Sequence, residues 1–159
     1  MVFDADNDVT LGTVSIPSYS TVGDFAMTAD QAMGFVTTFN FTVYVLDLTT
    51  TPPSLASGTN PITISNYGED IAMTMDGQFL VVNDGSASQP ISVIDVASRT
   101  EISTFTPSGD PTLCSDVLDN AQNVLAGGLS YNVRLLEIDS IASVCKGSCI
   151  IDLEQPHII

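Results

Sequence analysis

Positive charge is almost missing from this chain of 159 residues. Arg99, Arg134 and Lys146 stand against 15 Asp and 4 Glu, a formal charge of −16. Binding to nucleic acid phosphates needs a cationic surface, so nucleic acid is excluded as a partner. Anionic membrane surfaces are excluded on the same ground. No apolar run approaches the roughly 18 residues of a membrane-spanning helix, so no membrane insertion is expected. The first residues, Met1-Val2-Phe3-Asp4-Ala5-Asp6, lack the basic and apolar regions of a signal peptide. Tryptophan is absent and His157, in the C-terminal tail, is the single histidine. Nucleophilic catalysis of the Ser-His-Asp kind needs a well-held imidazole. The sequence also has no G-x-S-x-G elbow and no phosphate-binding P-loop. These shortages predict a protein that is not an enzyme and needs no cofactor.

Glu and Lys, which fill exposed helix faces, number only 4 and 1. Ser and Thr together number 34, and with Asp they favour turns and caps over helix interiors. The expectation is one all-β domain, with an extracellular or cell-surface setting suited to such an acidic, Ser- and Thr-rich surface. Asn40-Phe41-Thr42 matches a glycosylation acceptor.

Three cysteines, Cys114, Cys145 and Cys149, allow one intramolecular pair and leave one thiol over. Cys145-Lys-Gly-Ser-Cys149 closes a small loop if paired, and either member is an alternative partner for Cys114. With His157 the three also make a permitted zinc set, though without paired C-x-x-C spacing, and plain buried thiols are the third reading.

The chain repeats itself. Asp24-Phe25-Ala26-Met27-Thr28-Ala29-Asp30 recurs 46 positions later as Asp70-Ile71-Ala72-Met73-Thr74-Met75-Asp76. An apolar run follows each, then a second run ending in Asp: Val43-Tyr44-Val45-Leu46-Asp47 and Ile91-Ser92-Val93-Ile94-Asp95. A third copy carries Asp119, Asn123-Val124-Leu125-Ala126 and Arg134-Leu135-Leu136-Glu137-Ile138-Asp139. The runs have strand length and strand composition. Asp76-Gly77 signals a tight hairpin. Asp30-Gln31 and Asp119-Asn120 lack that Gly, which predicts different hairpins in those copies.

A fourth strand is predicted at Ile62-Thr63-Ile64, at Ile102-Ser103-Thr104-Phe105, and at Ser143-Val144-Cys145 or Cys149-Ile150-Ile151. Four antiparallel strands in about 45 residues make one blade of a β-propeller. Blade-like repeats are expected over 24–64, 70–106 and 113–153, with a stray outer strand over 9–16. The predicted core includes Phe25, Met27, Ile71, Met73, Val81, Val93 and Ile94. Asp47, Asp95 and Asp139, like Asp30, Asp76 and Asp119, are expected to hold turns through their side-chain oxygens.

Asp76-Gly77-Gln78-Phe79-Leu80-Val81-Val82-Asn83, followed by Ile91-Ser92-Val93-Ile94-Asp95, resembles the YVTN-type, lactonase-like β-propeller repeat. Phe35-Val36-Thr37-Thr38 stands where that family has Tyr-Val-Thr-Asn. The resemblance covers roughly 9–145 and implies a propeller. It implies no single activity, because the family includes surface-layer-like binding proteins as well as enzymes. About three blades are few for a ring that usually needs four to eight. A fragment of a larger propeller, a four-bladed ring and two chains joined at their open blade edges are the available resolutions.

Outside the repeat, Asp4, Asp6 and Asp8 alternate along the chain like the opening of a calcium loop. Val9 and Ser15 stand where an EF-hand needs Gly and Glu. The functional expectation is a non-enzymatic binding or structural module with a protein or glycan ligand, Tyr19, Tyr44, Tyr67 and Tyr131 being its aromatic contacts. A metal-assisted hydrolase on a completed propeller is the alternative.

Overall fold

The computed structural model describes residues 2–4, 7, 9–17, 21–85, 89–106, 112–117, 123–128, 132–139 and 144–152. Side chains are described at 7, 9–10, 12–17, 21–85 and 89–106. The described residues contain strands and turns but no helix.

A hairpin comes first, pairing β1 (Val2–Asp4) with β2 (Val9–Gly12). The predicted strand over 9–16 is therefore corrected to its first half. Residues 13–16 leave the ladder and run along the next sheet.

That first sheet holds β3 (Val22–Met27), β4 (Met33–Thr38), β5 (Thr42–Asp47) and two short edge pieces, β6 (Ser54–Leu55) and β7 (Ile62–Thr63). The second sheet is a meander of β8 (Asp70–Met73), β9 (Phe79–Asn83), β10 (Ile91–Asp95) and β11 (Thr100–Phe105). The third repeats that order with β12 (Thr112–Val117), β13 (Asn123–Gly128), β14 (Asn132–Asp139) and β15 (Val144–Asp152). All pairings are antiparallel.

The hairpin turns follow from the repeated Thr-x-Asp. Asp30 Oδ1 accepts from the Thr28 hydroxyl at 2.6 Å and the Ala32 amide at 3.0 Å. Asp76 Oδ1 accepts from Thr74 at 2.7 Å and the Gln78 amide at 3.0 Å. Gly77 has φ +69° and Gln31 has φ +58°, so both turns take the left-handed position. The expectation of a different hairpin in the first copy is thus corrected. Gln31 accepts the conformation that Gly77 adopts freely. Asp47 Oδ1 accepts from the Thr49 amide at 2.9 Å, and Asp95 Oδ1 from the Ser98 amide at 2.6 Å, as expected of turn-holding acids.

Sheets stack face to face. Strand β3 lies against β8 and β8 against β12, while β7 meets β11 and β11 meets β15. First strands therefore gather on one side of the stack and last strands on the other. Alternation along the strands sends Phe35, Val43 and Val45 toward the second sheet, where they pack with Ile71, Leu80, Val82, Ile94 and Val96. A second cluster of Phe79, Val81, Ile91 and Val93 forms on the opposite face of the second sheet.

Polar pins fix this packing. Asn66 is fully buried, donates to the Val82 and Pro90 carbonyls at 2.8 Å each, and accepts from the Gly68 amide at 3.0 Å. Glu101 accepts from both the amide and the hydroxyl of Ser65, at 2.8 and 2.6 Å. Gly23 is required by contact: a Cβ there would stand 2.2 Å from the Gly68 carbonyl oxygen and 2.7 Å from Thr37 Oγ1.

Candidate functional site: the uncovered face of the first sheet

Sheet alternation leaves Phe25, Met27, Val36 and Leu46 on the face of the first sheet that points away from the second. Residues 14–17 cross part of this face. The Tyr44 hydroxyl donates to the Pro17 carbonyl at 2.5 Å, and Val14 and Ile16 border an open cleft of about 670 Å³. Its other walls include Val22, Leu48 and Pro53, with Gln31 at the rim. Gly34 forms the floor under the Phe25 ring, since a Cβ there would meet ring carbons at 2.7 and 3.0 Å.

Phe25 is 44% exposed, and Met27 and Val22 are each 49% exposed. The expectation that Phe25 and Met27 belong to the core is therefore wrong. Their repeat counterparts are covered as predicted, Ile71 buried and Met73 packed partly buried against the core, and the other predicted core residues Val81, Val93 and Ile94 are buried. The difference lies in the neighbours. The second sheet has the first packed on this side of it, whereas on the same side of the first the described cover comes from residues 14–17.

Of the proposed aromatic contacts, Tyr44 is buried and Tyr67 is 43% exposed beside Phe41, their ring centroids 4.4 Å apart. Tyr19 and Tyr131 lie outside the described residues, as do Asp6, Asp8 and the Asp4 side chain. The backbone places Asp4 at the end of β1, paired with Val9 of β2. Cys114 stands on β12, and Cys145 and Cys149 both on β15, with side chains outside the described residues. Cys145 and Cys149 flank a register shift in β15, Cys145 paired with Ile138 and Cys149 with Leu135. Among the described residues no group of three metal-ligating side chains occurs.

Two carboxylates are electrostatically distinct. The Thr28 hydroxyl and then the Ala32 amide hold Asp30 below its ordinary value of 3.8. The Thr49 hydroxyl and amide do the same for Asp47. Both are exposed turn acids stabilised as anions by local donors, which serves structure.

No protein-family model matches the sequence, and no curated protein matches it. Solved structures do. The WD40 repeats of RRP9 align over 84% of this chain and 39% of that one, with TM-score 0.67 at 13% identity. Hydrazine synthase of Kuenenia stuttgartiensis aligns over 94% of this chain and 42% of that one, with TM-score 0.71 at 17% identity. The chain has a β-propeller fold. U3-55K aligns similarly, over 84% of this chain and 40% of that one, with TM-score 0.64 at 14% identity. The chain thus spans about two fifths of the length of these structures. In propeller terms the stacked sheets are blades, their first strands β3, β8 and β12 lie nearest the axis, and the cleft occupies the leading face of the first blade.

The blade stacking was foreshadowed by the repeat. The open face was not, although a signal existed: Gly34 occupies the position of Leu80, so the face has a hollow that its counterpart fills.

Proposed function

We propose that this propeller is a non-enzymatic binding module that works through protein contacts on the leading face of its first blade. The observation that carries the reading is the exposure of Val22, Phe25 and Met27 around one cleft with apolar walls. Contiguous apolar surface of this kind marks interaction sites on soluble proteins. An apolar wall of Met, Phe and aliphatic groups favours a protein ligand over a glycan, which needs polar partners for its hydroxyls. The YVTN-type motif at 76–95 supports placing the blades in that repeat class.

A photo-crosslinking amino acid at Phe25 tests the reading. Covalent adducts to protein are expected there and not at Met75, which is exposed off this face. Saturable turnover of lactone or ester substrates, lost when acidic side chains are replaced, would overturn the non-enzymatic reading. The extracellular setting rests on the acidic, Ser- and Thr-rich composition and on Asn40, exposed in the β4–β5 turn. Expression through a secretory route is expected to add one glycan there that Asn40→Gln removes.

A further inference from the structure

The second blade shows how a face of this kind is covered in this fold, by extended strands laid across it. Ile71, Met73, Leu80 and Val82 correspond to Phe25, Met27, Gly34 and Val36 at an offset of 46. They pack against Phe35, Val43 and Val45 of the first blade. On the first blade the described cover is one extended segment, residues 13–17. These alternate between exposed and half-buried, and the half-buried pair, Val14 and Ile16, forms a wall of the cleft. The segment is anchored at its ends. The Tyr44 hydroxyl donates to the Pro17 carbonyl, and a Cβ on Gly12 would stand 2.7 Å from the Pro52 Cβ. Between these anchors its backbone is untied: among the described residues, no hydrogen bond reaches the amides or carbonyls of 13–16. The segment has the side-chain pattern of a strand and apolar contacts with the sheet below. Among the described residues it has no strand paired to it.

An extended backbone with free amides and carbonyls is a template for a second strand. Resting on the protein-binding reading above, we propose that the cleft takes an extended segment of another protein, added as a strand alongside 13–16, with apolar and basic side chains in alternation. The apolar half follows from the face. A strand paired beside 13–16 turns every second side chain toward the sheet, where Val22, Phe25 and Met27 are half-exposed. The basic half follows from charge. No Lys, Arg or His precedes Arg99 in the sequence, and the first blade carries Asp24, Asp30 and Asp47. Arg99 itself is engaged by the Ser57 carbonyl. Basic side chains on the solvent side of the incoming strand are therefore attracted, and acidic ones repelled. Pairing converts the segment into a two-stranded ribbon, a minimal form of the sheet that covers the second blade.

Fluorescence anisotropy with labelled peptides of about nine residues, titrated with the full chain, tests this. A peptide of alternating Val and Lys is expected to bind with Kd of about 100 µM or tighter at about 0.15 M salt. Exchanging its Lys for Glu should weaken binding by about tenfold or more. Methylating the backbone nitrogens of its middle residues removes the ladder donors and keeps charge and side chains, and should cost about tenfold or more. In the chain, Phe25→Ser and Met27→Ser should each weaken binding by about fivefold or more, while Met75→Ser leaves it unchanged. Amide hydrogen exchange on the unsubstituted chain is expected to slow at 13–16 when the Val-Lys peptide is bound, whether or not the variants fold. Equal binding by the methylated or the Glu peptide, unchanged binding by a folded Phe25→Ser, or unchanged exchange at 13–16 overturns the proposal. No peptide binding, while a crosslinker at Phe25 captures a folded protein, overturns strand addition and keeps the protein-binding reading. Neither peptide binding nor protein adducts overturns both.

Discussion

Asn60 performs a backbone's work with a side chain. The edge of the first sheet is interrupted between β6 and β7, opposite Val45, and the Asn60 amide fills the gap. Its Oδ1 accepts the Val45 amide at 3.0 Å, and its Nδ2 donates to the Val45 carbonyl at 2.8 Å and the Ala56 carbonyl at 3.0 Å. Val45 is completely buried, so the truncation Asn60→Ala leaves its N–H without the partner seen here. The Val45 carbonyl keeps the Ala56 amide at 2.9 Å and is less affected. An orphaned buried donor costs about 1–3 kcal/mol and each of the two further lost bonds about 0.5–1.5 kcal/mol, giving about 2–6 kcal/mol in all. Against a typical domain stability of about 5–15 kcal/mol this is a large fraction. Urea unfolding followed by circular dichroism should show a lower midpoint with an unchanged slope. A loss under about 0.5 kcal/mol, or full rescue by a shape-similar Asn60→Leu, would refute the assignment of the amide as a missing rung.

Further expectations concern turns, contacts and acid. Gly77→Ala meets no atom within 4 Å, so its cost is conformational alone, about 1 kcal/mol, and Gln31→Gly should change stability by less, in the opposite direction. Chemical denaturation of the pair shows both signs. Gly23→Ala places a Cβ against the Gly68 carbonyl and should cost about 2–3 kcal/mol, visible as a lowered thermal midpoint. The depressed Asp30 and Asp47 carboxyls contribute stability above the ordinary carboxylate range, lost as pH falls through their lowered values. Stability measured downward from about pH 5 should therefore fall less steeply in Asp30→Asn with Asp47→Asn than in the parent.

Sequence legibility followed the range of the interactions concerned. Turn chemistry is local, so the Thr-x-Asp signature marked the hairpins at Asp30 and Asp76 and the caps at Asp47 and Asp95. Strand alternation is also local, and the recurrence of those landmarks was sufficient for stacked blades. Exposure is not local. Phe25 and Ile71 occupy one repeat position, yet one is half-exposed and the other buried, because burial depends on whether another sheet lies against the strand. Asn60 escaped notice for a related reason: an amide substituting for a rung leaves no periodic trace. Gln31 shows the converse, since turn geometry imposed by Asp30 overrode a residue preference that sequence reading weighted heavily.

The Ser65 clasp by Glu101 has a mechanical consequence. The first and second blades touch at the Gly23 approach near their first strands and are fastened again by Glu101 on the last strand of the second. Two attachments set apart across the width of a sheet block the swivelling that one would permit. Torque applied to the leading blade is therefore transmitted to its neighbour and not absorbed at the joint. A load taken up at the open face would be shared by both blades as one lever.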